Sequence, residues 1–218
     1  MIPLKDHNPS GRIPVVTYAL IGINLLIFFM MLGLNEAALT KTLFDFALIP
    51  SLIFSGGGFY RFLTSMFLHA GFFHLLTNLL FLHIFGDNLE DFLGSFAFLI
   101  FYFFCGFGAS GLQIMANPVS DIPILGASGA IAGVMGGYLV LFPRYRVDVL
   151  VPLGWVFRRA TVPAFVMLIY WFILQLFSTI GSLATLGYET GGVAYFAHIG
   201  GFACGWLGMR LAKRFKRV

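Results

Sequence analysis

The chain has 218 residues, of which 59% are hydrophobic and 10% charged, with a mean hydropathy of +0.92. A soluble domain of this size carries about a quarter charged residues and must cover a large surface with polar groups, so the composition excludes a soluble protein and indicates a multi-pass membrane protein. The net charge of +4 does not point to nucleic acid, because the thirteen Lys and Arg residues fall mainly at the ends of apolar segments, where they anchor and orient helices.

A spanning helix needs about twenty mostly apolar residues. Six segments are read this way: residues 13–34, 72–93, 94–116, 127–142, 162–186 and 192–209. The first follows Lys5 and Arg12; it is too long for a signal peptide and lacks a small-residue cleavage site, so it is read as a retained span. Residues 35–71 form a loop too apolar for a linker, with Phe44, Phe46, Leu48 and Ile49 ahead of Gly56-Gly57-Gly58. Such a segment is expected to lie in the membrane interface with short helices of its own. The second span carries Asp87, Glu90 and Asp91 in its last turns, and its short connection makes it an antiparallel neighbour of the third. The fourth, at roughly 24 Å against a hydrocarbon core of about 30 Å, should begin below the surface. Irregular chain at that depth is tolerated where protein buries it or water reaches it. Cys105 and Cys204 lie in separate apolar runs and give neither a metal pattern nor a disulfide framework.

Lys5 and Arg12 precede the first span. Arg144, Arg146, Arg158 and Arg159 separate the fourth and fifth, and Arg210, Lys213, Arg214, Lys216 and Arg217 follow the sixth. Six spans put all of these on one side and leave Lys41 and Arg61 opposite. The expected fold is an all-α bundle of six transmembrane helices with a long membrane-associated first loop. It forms one polytopic domain over residues 1–218, with a core of about 13–212. Both termini are expected in the cytoplasm.

The even-numbered spans run in one direction, so residues near their starts share a depth. Those residues are His74 and Asn78, Ser128, and His198. Ionisable groups inside a span usually face a wet cavity or the bundle interior, and a serine beside a histidine is the simplest nucleophile–base pair. Ser128, in Gly126-Ala127-Ser128-Gly129, stands at a helix N-terminus whose free N–H groups and dipole favour an oxyanion. His74 and Asn78, one turn apart, add two side-chain donors. The segment is not the elbow of soluble hydrolases, since Ala130 replaces its last glycine. Gly201 and Gly205 share a face with His198 and form a GxxxG pattern, answered on span four by Gly129, Gly133 and Gly137. Close contact of these spans would join Ser128 to His198. The outer acids Asp121 and Glu189 sit in loops, so a dyad is expected, its base held by packing. His83 is read as a packing histidine, and His7 as part of a polar tail.

Together these residues resemble the rhomboid family of intramembrane serine proteases, over roughly residues 60–205. The resemblance implies that Ser128 is the nucleophile and His198 the general base. It also implies that His74 and Asn78 join the Ser128 N–H in the oxyanion hole. His69 would be structural, Tyr60-Arg61 would stand where the family commonly has Trp-Arg in the first loop, and Glu90 would be a structural acid. Ala132 occupies a position where some members carry a tyrosine beneath the base. The form resembled is the simplest bacterial one, in the inner membrane, acting on single-span membrane proteins within the lipid bilayer and using no cofactor.

Two other readings belong to different classes. One is a catalytically silent rhomboid-like protein that binds membrane clients. The other is a haem or ion carrier using His74, His83 and His198. The topology is directly testable: reporters fused at the C-terminus and within residues 143–160 should both report cytoplasm, and a signal from the opposite side for either would overturn the six-span arrangement.

Overall fold

The computed structural model describes residues 1–184 and 194–215, with side chains described up to 180 and from 194. Glu189, the expected boundaries at 186 and 192, Lys216 and Arg217 lie outside the described residues. The described chain is mostly helical. Strand β1 (Ile2–Asp6) leads into α1 (Val15–Leu32), then α2 (Glu36–Phe46), α3 (Pro50–Phe54) and α4 (Arg61–Thr64), which tightens into a 3₁₀ turn at Ser65–Phe67. Helices α5 (Phe72–Leu93), α6 (Ser95–Ala116) and α7 (Ser128–Leu141) follow. Strands β2 (Arg146–Leu153) and β3 (Val156–Pro163) precede α8 (Ala164–Ala184) and α9 (Tyr195–Phe215).

The six long helices fall on the six apolar segments. Among the described residues, α1 and α6 are each long and apolar enough to cross a membrane, and α5 qualifies jointly with Arg61–Phe67, bent from it by 97°. The polar His74, Asn78, His83, Asp87 and Asn88 along α5 lower its hydropathy. Helix α7, with 14 residues, is the centre of the bundle: every residue from Gly129 to Tyr138 is buried. Helices α5, α6, α8 and α9 all pack against it.

Glu90 joins three helices. Its carboxylate accepts the backbone N–H of Val16 at 2.9 Å and of Thr17 at 2.7 Å, the Thr17 hydroxyl at 2.8 Å and the Ser95 hydroxyl at 2.6 Å. An anion is thereby placed on the open N–H groups at the start of α1, where the helix dipole favours it. Between α1 and α5, the buried Arg61 guanidinium donates to the carbonyls of Phe44 and Ala47, and Tyr60 donates to the Asp45 carbonyl at 2.9 Å. These bonds gather the end of α2 onto α4.

The all-α expectation is corrected by a three-stranded antiparallel sheet of order β1-β2-β3. Residues 143–161 are expected from their arginines to be a basic connection and 162–163 the start of the fifth span, yet Val147, Val149 and Val151 alternate with other residues, which is the period of a strand with one buried face. Gly154, at φ +63°, opens the two-residue turn to Val156, a conformation that suits glycine. The N-terminal tail adds the third strand, with Asp6 opposite Val147 and Ile2 opposite Leu150. Its His7 ring lies 3.1 Å from Asp148. Val147 and Val149 are fully buried against the helix ends.

Asp6 accepts a hydrogen bond from the Tyr138 hydroxyl at 2.8 Å, fastening β1 to α7. Burial pushes the Asp6 carboxyl up from 3.8 to about 6; the Tyr138 bond opposes the rise and the charge of Asp87 adds to it. A carboxyl whose folded-state value is raised favours the folded strand when protonated, so this contribution is full below about pH 4 and lost as pH rises through about 6. In the intact protein, amide-exchange protection of residues 2–7 should fall across that window after correction for intrinsic rates. Asp6→Asn should flatten the dependence; the same slope in both proteins would exclude Asp6 as its source.

Candidate active site

Ser128 is the first residue of α7, and His198 lies in the first turn of α9. The Ser128 hydroxyl and His198 Nε2 are 2.8 Å apart. The other ring nitrogen, Nδ1, lies 2.8 Å from the Gln175 amide oxygen on α8. An amide oxygen only accepts, so Nδ1 carries the proton and Nε2 presents its lone pair to the serine hydroxyl. Trp171, one helical turn before Gln175, packs on the same imidazole with centroids 5.7 Å apart, and Tyr195 meets it edge-on at 6.4 Å. The expectation that packing holds the base is thus met by Trp171 and Tyr195, with Ala132 buried in the core beneath. Gln175 adds a hydrogen bond that the sequence reading missed. Its signal was its isolation: it is the one amide in an otherwise apolar stretch of α8. Trp171 faces the base.

The serine and histidine meet because α7 and α9 touch through backbone. A methyl group at Gly201 would fall on the carbonyl oxygen of Gly129, and one at Gly205 on that of Gly133. The sequence reading placed Gly137 in this seam; the structure puts Gly136 there, against the Phe202 carbonyl, while Gly137 faces Leu89 and Phe101. The cause is the helical period: positions 129, 133 and 136 keep to one face better than two successive steps of four.

On the other side of Ser128, the His74 ring lies over Gly126, whose Cα has no room for a methyl and whose φ is +121°. Asn78 is buried, and its side-chain NH2 has no hydrogen-bond partner among the described residues. An unpaired buried donor of this kind is costly and is suited to an acceptor that arrives later. His69 packs against His74 with centroids 5.1 Å apart. A cavity of about 20 Å³ opens beside Ser128, bordered by Ser65, Ser110 and Gly129, roughly the space of one water. Above it, residues 117–127 are tied down by reciprocal Leu48 and Ile124 backbone bonds of 3.0 and 2.8 Å, and by Gly126 N–H to the Ser65 carbonyl at 2.9 Å.

Ser128, His198 and His74 therefore come together at the starts of α5, α7 and α9, and Asn78 lies one turn further along α5 from His74. His83 does not join them: it stacks on Tyr18 at 6.2 Å and borders a cleft with Asp6 and His7, so the three-histidine carrier arrangement is not formed. Chemically, the arrangement presents a hydroxyl whose proton has an acceptor.

A family model described as "Rhomboid domain" matches residues 56–214. This chain belongs to the rhomboid family. It is thus a member of a multi-pass membrane family. Relatives include Rhomboid-like protein 11, chloroplastic, of Arabidopsis thaliana, 29% identical over 163 residues, covering 72% of this chain and 53% of the relative. Rhomboid protease GluP of Bacillus subtilis (strain 168) is 34% identical over 126 residues, 58% of this chain and 24% of the relative. Inactive rhomboid protein 1 of Drosophila melanogaster is 37% identical over 82 residues, 38% of this chain and 6% of the relative. The rhomboid chain thus spans about half, or less, of the length of these relatives.

Gln175→Leu keeps the volume and removes the acceptor. One neutral hydrogen bond is worth about 1 kcal/mol, so any reaction at Ser128 that uses His198 as its base should slow about fivefold, and Gln175→Glu, which keeps the acceptor, should not slow it in the same way. An unaltered rate in both variants would remove Gln175 from the site.

Proposed function

We propose that this rhomboid is an intramembrane serine endopeptidase that cleaves single-span membrane proteins through Ser128 and His198. The observation that carries the reading is the 2.8 Å hydrogen bond between a serine hydroxyl at a buried helix start and an imidazole nitrogen free to accept its proton. In the reaction, Ser128 Oγ attacks the scissile carbonyl carbon as its proton passes to His198 Nε2. The oxyanion takes hydrogen bonds from the Ser128 backbone N–H and the side chains of His74 and Asn78. Collapse expels the amine, which takes the proton from His198, and water then releases the acyl group by the same relay in reverse.

In this reading α1, α5, α6, α7, α8 and α9 are the six spans, the basic ends of the bundle face the cytoplasm, and the membrane is the bacterial inner membrane. The segment from α2 to the 3₁₀ turn lies in the opposite interface. A peptide bond within an α-helix is shielded by its own hydrogen bonds, so the substrate must leave the helical state near that surface. Gly or Pro in the upper span favours this, at about 1 and 3 kcal/mol against a helix interior. The relatives support protease chemistry through GluP, which is named a protease, while the Drosophila relative is named inactive. An intact serine and histidine at bonding distance favour the active form over a silent client-binding one.

The test is cleavage of a transmembrane reporter by purified protein in lipid vesicles. Ser128→Ala and His198→Ala should each abolish it, and the double variant should be no worse, because the pair acts as a unit. Asn78→Ala should leave measurable activity, its loss bounded by about 2.7–4 kcal/mol for one oxyanion donor. Full activity in either dyad variant would overturn the assignment.

A further inference from the structure

The β2–β3 hairpin carries a feature that catalysis does not use. In an antiparallel pair, residues opposite one another point to one face. Val147 with Val162, Val149 with Ala160, Val151 with Arg158 and Leu153 with Val156 therefore share a face. The near part of that face packs on the helix bundle: Val147 and Val149 are fully buried, and Val151, Ala160 and Val162 lie against the same core. The far part has no cover. Leu153 is 61% exposed, Val156 54%, and Trp155 at the turn is 101% exposed. The hairpin thus runs about 10 Å past its last core contact at 3.3 Å per residue, ending in an apolar tip with no partner among the described residues.

Its orientation follows from its connections. Tyr145 and Pro143, just beyond α7, accept backbone bonds from Ala164 and Phe165 at the start of α8, at 2.7 and 3.0 Å. The sheet consequently lies across the ends of α7 and α8, with its apolar face toward the bundle. Where α7 and α8 span a bilayer, the part of that face extending past the bundle looks at the lipid surface. Its chemistry suits that surface. Tryptophan favours the membrane–water boundary. Arg158 lies on the lipid side, two register pairs inward from Leu153 and Val156, and Arg159 on the other, both exposed. An arginine so placed lays its stem along apolar surface and delivers the guanidinium to a phosphate.

We propose that the β2–β3 hairpin is an interfacial anchor: Leu153, Trp155 and Val156 enter the headgroup boundary of the leaflet on the basic side, and Arg158 binds anionic phospholipid headgroups there. This rests on α7 and α8 being spans and not on proteolysis. Charge complementarity selects the occupant, since Arg144, Arg146, Arg158 and Arg159 give this connection four positive groups against the one acid Asp148.

The experiment uses the full chain in vesicles of phosphatidylcholine with phosphatidylglycerol. Trp155 emission is taken as the difference between the intact protein and Trp155→Phe, a change at a fully exposed side chain. Lipids brominated at a shallow acyl position should quench Trp155 more than deeply brominated ones, and aqueous acrylamide should reach it poorly. With bromines on one lipid at a time, the preference for phosphatidylglycerol over phosphatidylcholine around Trp155 should fall about fivefold in Arg158→Gln, from about 1 kcal/mol per basic residue at an anionic surface. If Trp155 is open to acrylamide and untouched by bromines while Trp171 and Trp206 are quenched, the spans stand and the anchor is wrong. If none of the three is quenched by lipid, the span assignment itself fails. Shielding of Trp155 that appears only at high protein-to-lipid ratio would assign the tip to contact between copies and overturn the proposal. An unchanged lipid preference in Arg158→Gln would remove the anionic headgroup from it.

Discussion

The close approach of α7 to α9 is the constraint on which the remaining geometry depends. Hydrophobic driving force between helices is weak in lipid, so association relies on packing, and backbones without side chains between them pack most closely. Gly129 and Gly133 on α7 and Gly201 and Gly205 on α9 remove every Cβ from the crossing. That spacing brings the first turns of the two helices together, and a 2.8 Å bond between Ser128 and His198 follows. A methyl at Gly201 or Gly205 would meet a carbonyl oxygen of α7, with no flexible side chain to yield, and one at Gly129 or Gly133 would strike Ala109 or Cys105 of α6.

The base is held from two sides that differ in character. Its own helix is locked into the centre by this seam and by α6, whose Gly108 and Leu112 press on α9. The contacts that orient its ring come from α8, which lies at the edge of the bundle against α7, α9 and the sheet. Trp171 stacks on His198 and on Phe202, and Phe172 stacks on Phe202 with centroids 4.6 Å apart. Positioning of the base is therefore tied to the seating of a peripheral helix. The nucleophile depends on the central one.

Much of the site was legible in the sequence because the membrane penalises idle polarity. Ser128, His198, His74 and Asn78 stood out as polar residues at one level of three apolar segments, and the glycine spacing predicted which helices meet. Gln175 was passed over because a neutral amide is a weaker signal than an ionisable group, although its place one turn from Trp171 puts both on one face. The strands were obscured for another reason. Arginines at 146, 158 and 159 read as loop charge, while the valines that alternate between them carry the structural information. The N-terminal strand has no local signal at all, since its register exists only against a partner far along the chain.

That distance has a consequence for assembly. Asp6 and Tyr138 are 132 residues apart in sequence, and β1 pairs only with β2, which follows α7. During synthesis the first strand emerges before any surface it can join. It must wait while α1 and α5 to α7 enter the bundle, since a pairing between such distant segments forms only after the intervening chain is placed. Its docking therefore reports that these four helices have arrived in the correct order and that the start and middle of the chain lie at the same end of the bundle. In effect the strand is a latch that only a correctly threaded chain can close.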